Sequence, residues 1–182
     1  DGWSLEATEH ALARALRFNG SARAAGSGAL HDMMGKRLGV PVWKLWGLDP
    51  AASPLTSFTI GIAPDEATLR QRVGEAAEYP VLKIKLGTNW DERIVRVVRE
   101  LAPDKVLRVD ANAAWTPKST LRIIPLLQEL GVEFVEQPLP PENLDGLRFI
   151  RERSSLPIVA DESCLVAADI PKLAGVVDGI NI

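Results

Sequence analysis

A single cysteine, Cys164, in 182 residues excludes a disulfide framework and a metal cluster built on thiolates. No apolar run approaches the ~18 residues that a membrane-spanning helix needs, so the chain is expected to be soluble. It shows no basic, apolar, small-residue leader that would mark it for secretion, which makes the cytoplasm the expected compartment. A basic patch is lacking too: 21 Lys and Arg stand against 24 Asp and Glu, a net charge of −3, which gives no support to nucleic acid as a partner. No Gly-x-Gly-x-x-Gly follows the first predicted strand, which removes the main support for a dinucleotide-binding sheet. What is present is ordinary globular composition, 46% hydrophobic and 25% charged, in a chain long enough to bury a core without staples.

The first quarter of the chain reads as helical. Leu5, Leu12 and Leu16 with interleaved alanines predict a helix over 5–18, stopped by Asn19-Gly20. A second helix is predicted over 21–38, with Leu30, Met33, Met34 and Leu38 on one side and Gly39 after it. Residues 40–47 form a short apolar turn of helix, and 49–54 resemble a linker. From Leu55 the rhythm changes. Strands are predicted over 55–62, 81–86, 105–110, 132–136, 157–160 and 177–182, with helices over 66–78, 91–101, 117–130, 142–152 and 167–173 between them. Short Val/Ile/Leu-rich strands alternating strictly with helices point to a parallel sheet covered by helices. Two architectures fit that pattern, an open doubly wound sheet and a closed (β/α)₈ barrel.

Side-chain alternation then sorts the strands into faces. In the second strand Leu82, Ile84 and Leu86 suit the helix layer, which puts Val81, Lys83 and Lys85 on the other side. In the third, Arg108, Asp110 and Asn112 lie opposite Leu107 and Val109; the fourth groups Val132, Phe134 and Glu136, and the fifth groups Val159 and Asp161. The spacings Lys85 to Asp110, Asp110 to Glu136 and Glu136 to Asp161 are 25, 26 and 25 residues. A βα unit is about that long, roughly 30 residues or a little under. Each charged group therefore falls at the C-terminal tip of a successive strand, where barrel active sites are built.

Three carboxylates at one rim repel, by about 4 kcal/mol for a pair 4 Å apart at an effective dielectric of ~20. Either some are protonated or a cation sits among them. Oxygen ligands suit Mg²⁺ or Mn²⁺, and the lack of histidine in the set argues against zinc. Paired lysines are expected to have depressed pKa values, which would fit one of them as a general base. A metal would hold a substrate carboxylate and stabilise the enediolate left when the α-proton departs. The residues thus point to metal-assisted proton abstraction α to a carboxylate. A lysine Schiff-base aldolase needs no such triad, so Asp110, Glu136 and Asp161 count against it.

The segments Lys83-Ile84-Lys85, Val109-Asp110-Ala111-Asn112, Glu136-Gln137-Pro138 and Ala160-Asp161-Glu162-Ser163, at this spacing, resemble the enolase superfamily in its muconate-lactonizing-enzyme subgroup. The resemblance runs from about Arg14 to Ile182, and Thr56-Ser57-Phe58-Thr59-Ile60-Gly61-Ile62 is similar to the first barrel strand of dipeptide epimerases. It implies an α/β fold, an incomplete TIM-type barrel of strands 1–6 over residues 51–182, preceded by the helical end of an α+β capping domain over 1–50. It further implies that Asp110, Glu136 and Asp161 bind Mg²⁺, that Lys85 is one of two acid/base lysines, and that Lys83 helps stabilise the enolate. Asn112 and Glu162 would stand behind these groups, and Thr59 would border the substrate. The substrate would be a small carboxylate, a dipeptide of the Ala-Glu type, and the protein a homo-oligomer. Muconate cycloisomerases, o-succinylbenzoate synthases and N-acylamino acid racemases share the ligands and stay open as alternatives, as does an inactive structural fragment. In this family the opposite-face lysine commonly follows an Asn-Ile pair, and the sequence given ends at Asn181-Ile182. With strands seven and eight and the cap's first strands also wanting, the chain is expected to be an internal piece of a protein roughly twice its length.

Other chemistry-bearing residues read as structural. His31 is expected to be a packed or hydrogen-bonded histidine, His10 a surface residue, Cys164 a small apolar filler, Trp43 and Trp46 core, and Trp115 rim packing.

Overall fold

The computed structural model describes residues 4–182. The chain divides into two compact units, one ending at Pro54 and one running from Leu55 to Ile182. Residues 1–3 of the expected capping segment lie outside the described residues.

In the first unit α1 spans Leu5–Ala15 and α2 spans Gly20–Leu38, followed by the single turn α3, Val42–Leu45. The first helix stops earlier than its leucine spacing suggests. Asn19 does not end it; its Oδ1 accepts from Ala22 N and caps the start of α2 instead. Gly39, at φ +66°, ends α2 in the left-handed cap that glycine adopts without strain. Of the apolar side predicted for α2, Met34 is buried but Leu38 is 49% exposed. Trp43 and Trp46, expected in a core, are 39% and 58% exposed. His31 behaves as expected, its Nδ1 2.9 Å from Ser27 O and its ring edge-on to Trp46.

The second unit alternates without exception: β1 (Ser57–Ile60), α4 (Glu66–Glu75), β2 (Val81–Lys85), α5 (Asp91–Leu101), β3 (Val106–Asp110), α6 (Pro117–Glu129), β4 (Val132–Glu136), α7 (Leu144–Arg151), β5 (Ile158–Ala160), α8 (Ile170–Leu173) and β6 (Gly179–Ile180). Sequence ends differ where caps or proline decide them. Asn143 caps α7 through Gly146 N and so shortens the predicted helix. The stretch predicted as one helix over 167–173 breaks into a 3₁₀ turn and α8, whose first turn holds Pro171, a residue with no N–H to donate.

All six strands are parallel, in the order β1-β2-β3-β4-β5-β6. That order decides between the two architectures. A doubly wound sheet reverses its strand order at a switch point, and this one never reverses. The sheet is an open arc of a (β/α)₈ barrel, with β1 and β6 as its edges: an incomplete TIM-type barrel. Its helix face carries the core. Leu82, Ile84, Leu107, Val109, Val135 and Ile158 pack with Val95, Val98, Leu127, Leu147 and Ile150 at 0–1% exposure. Each such aliphatic side chain contributes about 1.5–3 kcal/mol by leaving water.

One strand departs from simple alternation. Leu107 pairs with Val132 and Val109 with Val135, so β4 places three residue steps against two in β3. Glu133 and Phe134 form the bulge. Val132 therefore lies on the helix side with Leu107, not with Phe134 and Glu136 as unbroken alternation predicts.

Candidate metal and proton-transfer site

Register brings the rim together. Lys85 pairs with Asp110 and Asp110 with Glu136, and Asp161 follows directly on β5. Asp110, Glu136 and Asp161 each offer an oxygen within 4.8 Å of the others, with Asp110 and Glu136 buried and Asp161 half-buried. Lys83 Nζ donates to Glu136 Oε1 at 2.6 Å and sits 2.9 Å from Asp110 Oδ2. Lys85 Nζ donates to Asp110 Oδ2 at 2.6 Å and to Asn112 Oδ1 at 2.8 Å. Asn112 Nδ2 continues the chain to Glu162 Oε1 at 3.0 Å.

Local conformation serves this placement. Asp110 Oδ1 accepts from Asn112 N at 2.9 Å, a side-chain-closed turn of the kind that Asp supports. Asn112 then takes φ +42°, which asparagine tolerates better than most residues. The turn leaves the Asn112 carboxamide between Lys85 and Glu162. Thr59 pairs with Lys83 across β1 and β2 and lines a concave cavity of about 420 Å³ with Lys83, Arg108, Phe134 and Glu136. It shares that wall with the charged cluster.

The electrostatics correct one expectation. Lys83 is not depressed by its lysine neighbour. Burial pulls its ammonium down, but hydrogen bonds to Glu136 and Asp110 outweigh burial and hold it above the ordinary lysine value. Burial pushes Asp110 up, yet the bonds from Lys85 and Lys83 win and keep its carboxyl below the ordinary aspartate value. Glu136 goes the other way. Burial leads, the charges of Asp110 and Asp161 add to it, and the Lys83 bond does not cancel them, so its carboxyl sits above the ordinary glutamate value.

The donor set fits a hard divalent cation. Three carboxylates converge, one held partly against its own ionisation, and a fourth carboxylate oxygen nearby, Glu162 Oε2, is buried with no hydrogen-bond partner among the described residues.

The sequence reading missed Asn181. Its Nδ2 donates to Glu136 Oε1 at 3.0 Å, so β6 also touches the triad. Its position at the tip of the sixth strand, matching Lys85, Asp110, Glu136 and Asp161 on theirs, is the signal the sequence offers. Trp115, expected as rim packing, is buried and bonded, its Nε1 donating to Asp91 Oδ2 at 2.9 Å. Cys164 is half-buried.

Residues 65–182 match the enolase C-terminal domain-like family, and residues 1–47 match the mandelate racemase/muconate lactonizing enzyme N-terminal domain. The chain belongs to this branch of the enolase superfamily. Within it, the chain is 41% identical over 165 residues to an L-Ala-D/L-Glu epimerase of Bacteroides thetaiotaomicron, covering 89% of this chain and 42% of that protein. It is equally, 41%, identical over 167 residues to an L-Lys-D/L-Arg epimerase of Methylococcus capsulatus, covering 90% of this chain and 47% of that one. The crystal structure of a dipeptide epimerase from Enterococcus faecalis V583 superposes with a TM-score of 0.79 at 33% identity, over 100% of this chain and 54% of its own. The chain spans about half the length of the curated relatives it matches. No helix among the described residues is long and apolar enough to cross a membrane.

Proposed function

We propose that the intact protein is a metal-dependent epimerase that removes and returns the proton α to a carboxylate, with a dipeptide as substrate. One observation carries this reading: Lys85 Nζ stands 2.6 Å from Asp110, at the same rim where Asp110, Glu136 and Asp161 converge. A proton-transfer group and a cation site are thereby neighbours.

Asp110, Glu136 and Asp161 would hold Mg²⁺, and Mn²⁺ suits the same oxygens. When bound, the metal supplies positive charge for the substrate carboxylate and for the charge that builds on it as the α-proton leaves. Lys85 Nζ takes that proton when neutral and gives it back when protonated. Asn112 Oδ1 accepts a hydrogen bond from either form and keeps Nζ in place. Lys83, its ammonium held above the ordinary lysine value between Asp110 and Glu136, offsets the carboxylate charge and adds positive potential at the cavity wall. Inversion needs a second base on the opposite face, which we assign to the part of its relatives' length that this chain does not span. Residues up to about position 50 serve as the end of the capping domain.

The dipeptide class rests on the names of the relatives. Because relatives acting on Ala-Glu and on Lys-Arg are equally identical to this chain, the peptide unit and its carboxylate are what they share, while the side chains differ in charge. The test incubates the intact protein with Mg²⁺ and a panel of dipeptides, L-Ala-L-Glu first, in D₂O. The expected result is α-deuterium incorporation and appearance of the epimer, both abolished by EDTA. Absence of exchange with every dipeptide rejects the reading, and loss of activity on borohydride treatment with substrate would point to a Schiff-base lysine instead.

A further inference from the structure

Asp161 sits just past the last residue of β5, beyond the strand pairing that fixes the other two carboxylates. Its backbone N–H is taken by a side chain: Gln137 Oε1 accepts from Asp161 N at 2.9 Å and from Ser163 N at 3.1 Å. The other end of the carboxamide donates to Leu139 O at 2.8 Å and to Ser163 Oγ at 2.9 Å. Two acceptor and two donor positions are all a carboxamide has, and here all four are used. The partners also fix which way the amide points, since two backbone N–H groups demand oxygen and a carbonyl demands NH₂.

The Gln137 backbone reaches the neighbouring strands as well. Its N donates to Val159 O and its O accepts from Ala113 N, each at 2.8 Å. The residue is fully buried and takes φ +32°. A non-glycine residue in that region is held there only when its surroundings over-determine it. Gln137 therefore links the loop after Asp110, its own neighbour Glu136 and the loop carrying Asp161.

We propose that Gln137 is a positioning residue for the acidic triad: its carboxamide sets the backbone from which Asp161 reaches the metal. This rests on the metal reading above. Supporting groups around a metal site change affinity by about 10–100-fold when removed, and a similar effect is expected here.

The experiment measures Mn²⁺ binding to the intact protein by electron paramagnetic resonance, well below each variant's melting temperature. Gln137→Met keeps the length and removes the hydrogen bonds. It is expected to raise the Mn²⁺ Kd by about 10-fold or more. Thr120→Val, which removes a buried hydroxyl bonded to Thr116 O in α6, is expected to lower the melting temperature and leave the Kd unchanged. A folded Gln137→Met protein binding Mn²⁺ within about two-fold of wild type overturns the proposal, against the supporting-group effect cited. Should that variant not fold, hydrogen exchange at the Asp161 and Ser163 amides of the wild type decides. Protected amides support the assignment, and exchange at the rate of open loops overturns it. A wild type that binds no Mn²⁺ defeats the metal reading itself, a result distinct from equal binding by both proteins.

Discussion

Asp110 and Glu136 stand opposite each other across β3 and β4, although β4 carries one more residue than β3 between the pairs that flank the bulge. The surplus is absorbed at Glu133 and Phe134, where Arg108 ion-pairs with Glu133 at 2.6 Å and lies 5.1 Å over the Phe134 ring. By Val135 the register is regular again, and Glu136 points to the concave side. The 26-residue spacing between Asp110 and Glu136, against 25 on either side, is this bulge seen in the sequence.

Because the phase is restored before Glu136, an alanine inserted between Val135 and Glu136 should undo the site. A shift of one residue turns a strand side chain to the opposite face. Glu136 would then enter the helix layer as an unpaired buried charge, at a cost of about 3–5 kcal/mol. The expected outcome is a large fall in melting temperature together with loss of Mn²⁺ binding. An insertion mutant that melts and binds like wild type would show that the loop, not the register, places Glu136.

Glu136 and Asp110 should respond to neutralisation with opposite sign in EDTA. The Glu136 carboxyl lies above its ordinary value, burial being the leading cause, so its ionisation opposes folding. Stability is lost as pH rises through the ordinary glutamate value and then the raised folded one. Glu136→Gln keeps an acceptor for Lys83 and Asn181 and removes that charge. At pH 7 the metal-free variant is expected to melt higher, by about 2–4 °C for each ~1 kcal/mol regained in a chain of this size, while losing stabilisation by Mg²⁺.

Asp110 lies below its ordinary value because the Lys85 and Lys83 bonds outweigh burial. Its contribution is present above the ordinary aspartate value and disappears as pH falls through the lower folded one. Asp110→Asn is expected to destabilise the metal-free protein at pH 7 by about 1.5–3 kcal/mol, the range for hydrogen bonds to charged groups. Thermal melts of both variants in EDTA at pH 7 and pH 4 give the comparison, and shifts of the same sign at pH 7 would contradict it.

Most of this arrangement was legible in the sequence because it follows from period. Two-residue alternation put Lys83 and Lys85 opposite Leu82 and Ile84, and a repeat of one βα unit put four charged residues at four strand tips. Periodicity does not reveal how a phase is interrupted, so it predicts the wrong face for Val132. Neither does it reveal what a carboxylate does to a lysine: two lysines in one strand suggest mutual repulsion, and only the fold shows Lys83 Nζ 2.9 Å from Asp110 and 2.6 Å from Glu136. Asn19 carried two messages, stop and cap, and the three-residue reach of its side chain to Ala22 N decided for the second.

The turn after β2 depends on a contact between two strand-end loops. Asp91, at the start of α5, accepts from Gly87 N, Thr88 N, Thr88 Oγ1 and Trp115 Nε1, and so ties the loop following Lys85 to the loop following Asn112. Trp115→Phe removes only the last of these while filling most of the same volume. The expected loss is about 1.5–3 kcal/mol, since a buried carboxylate oxygen loses its indole donor. Urea unfolding in the presence and absence of Mg²⁺ would measure it, and a change under about 0.5 kcal/mol, the bottom of the range for an ordinary hydrogen bond, would show that the loops hold without this bond.

Under the proposed roles, Asn112 is the residue that distinguishes proton transfer from metal holding. Its side chain touches Lys85 and Glu162, and only its backbone N–H reaches a triad carboxylate, Asp110 Oδ1. Asn112→Gly keeps that N–H and relieves the positive φ, which glycine adopts freely, but takes away one of the two anchors of Lys85 Nζ. Misplacement of a reacting group by about 1 Å can lower a rate 10²-fold. The expected outcome is kcat reduced by about 10–100-fold with the Mn²⁺ Kd unchanged. The pairing of the two measurements matters. A parallel rise in Kd would mean that Asn112 acts on the triad through Glu162, whereas an unchanged kcat would mean that Asp110 alone aligns the lysine.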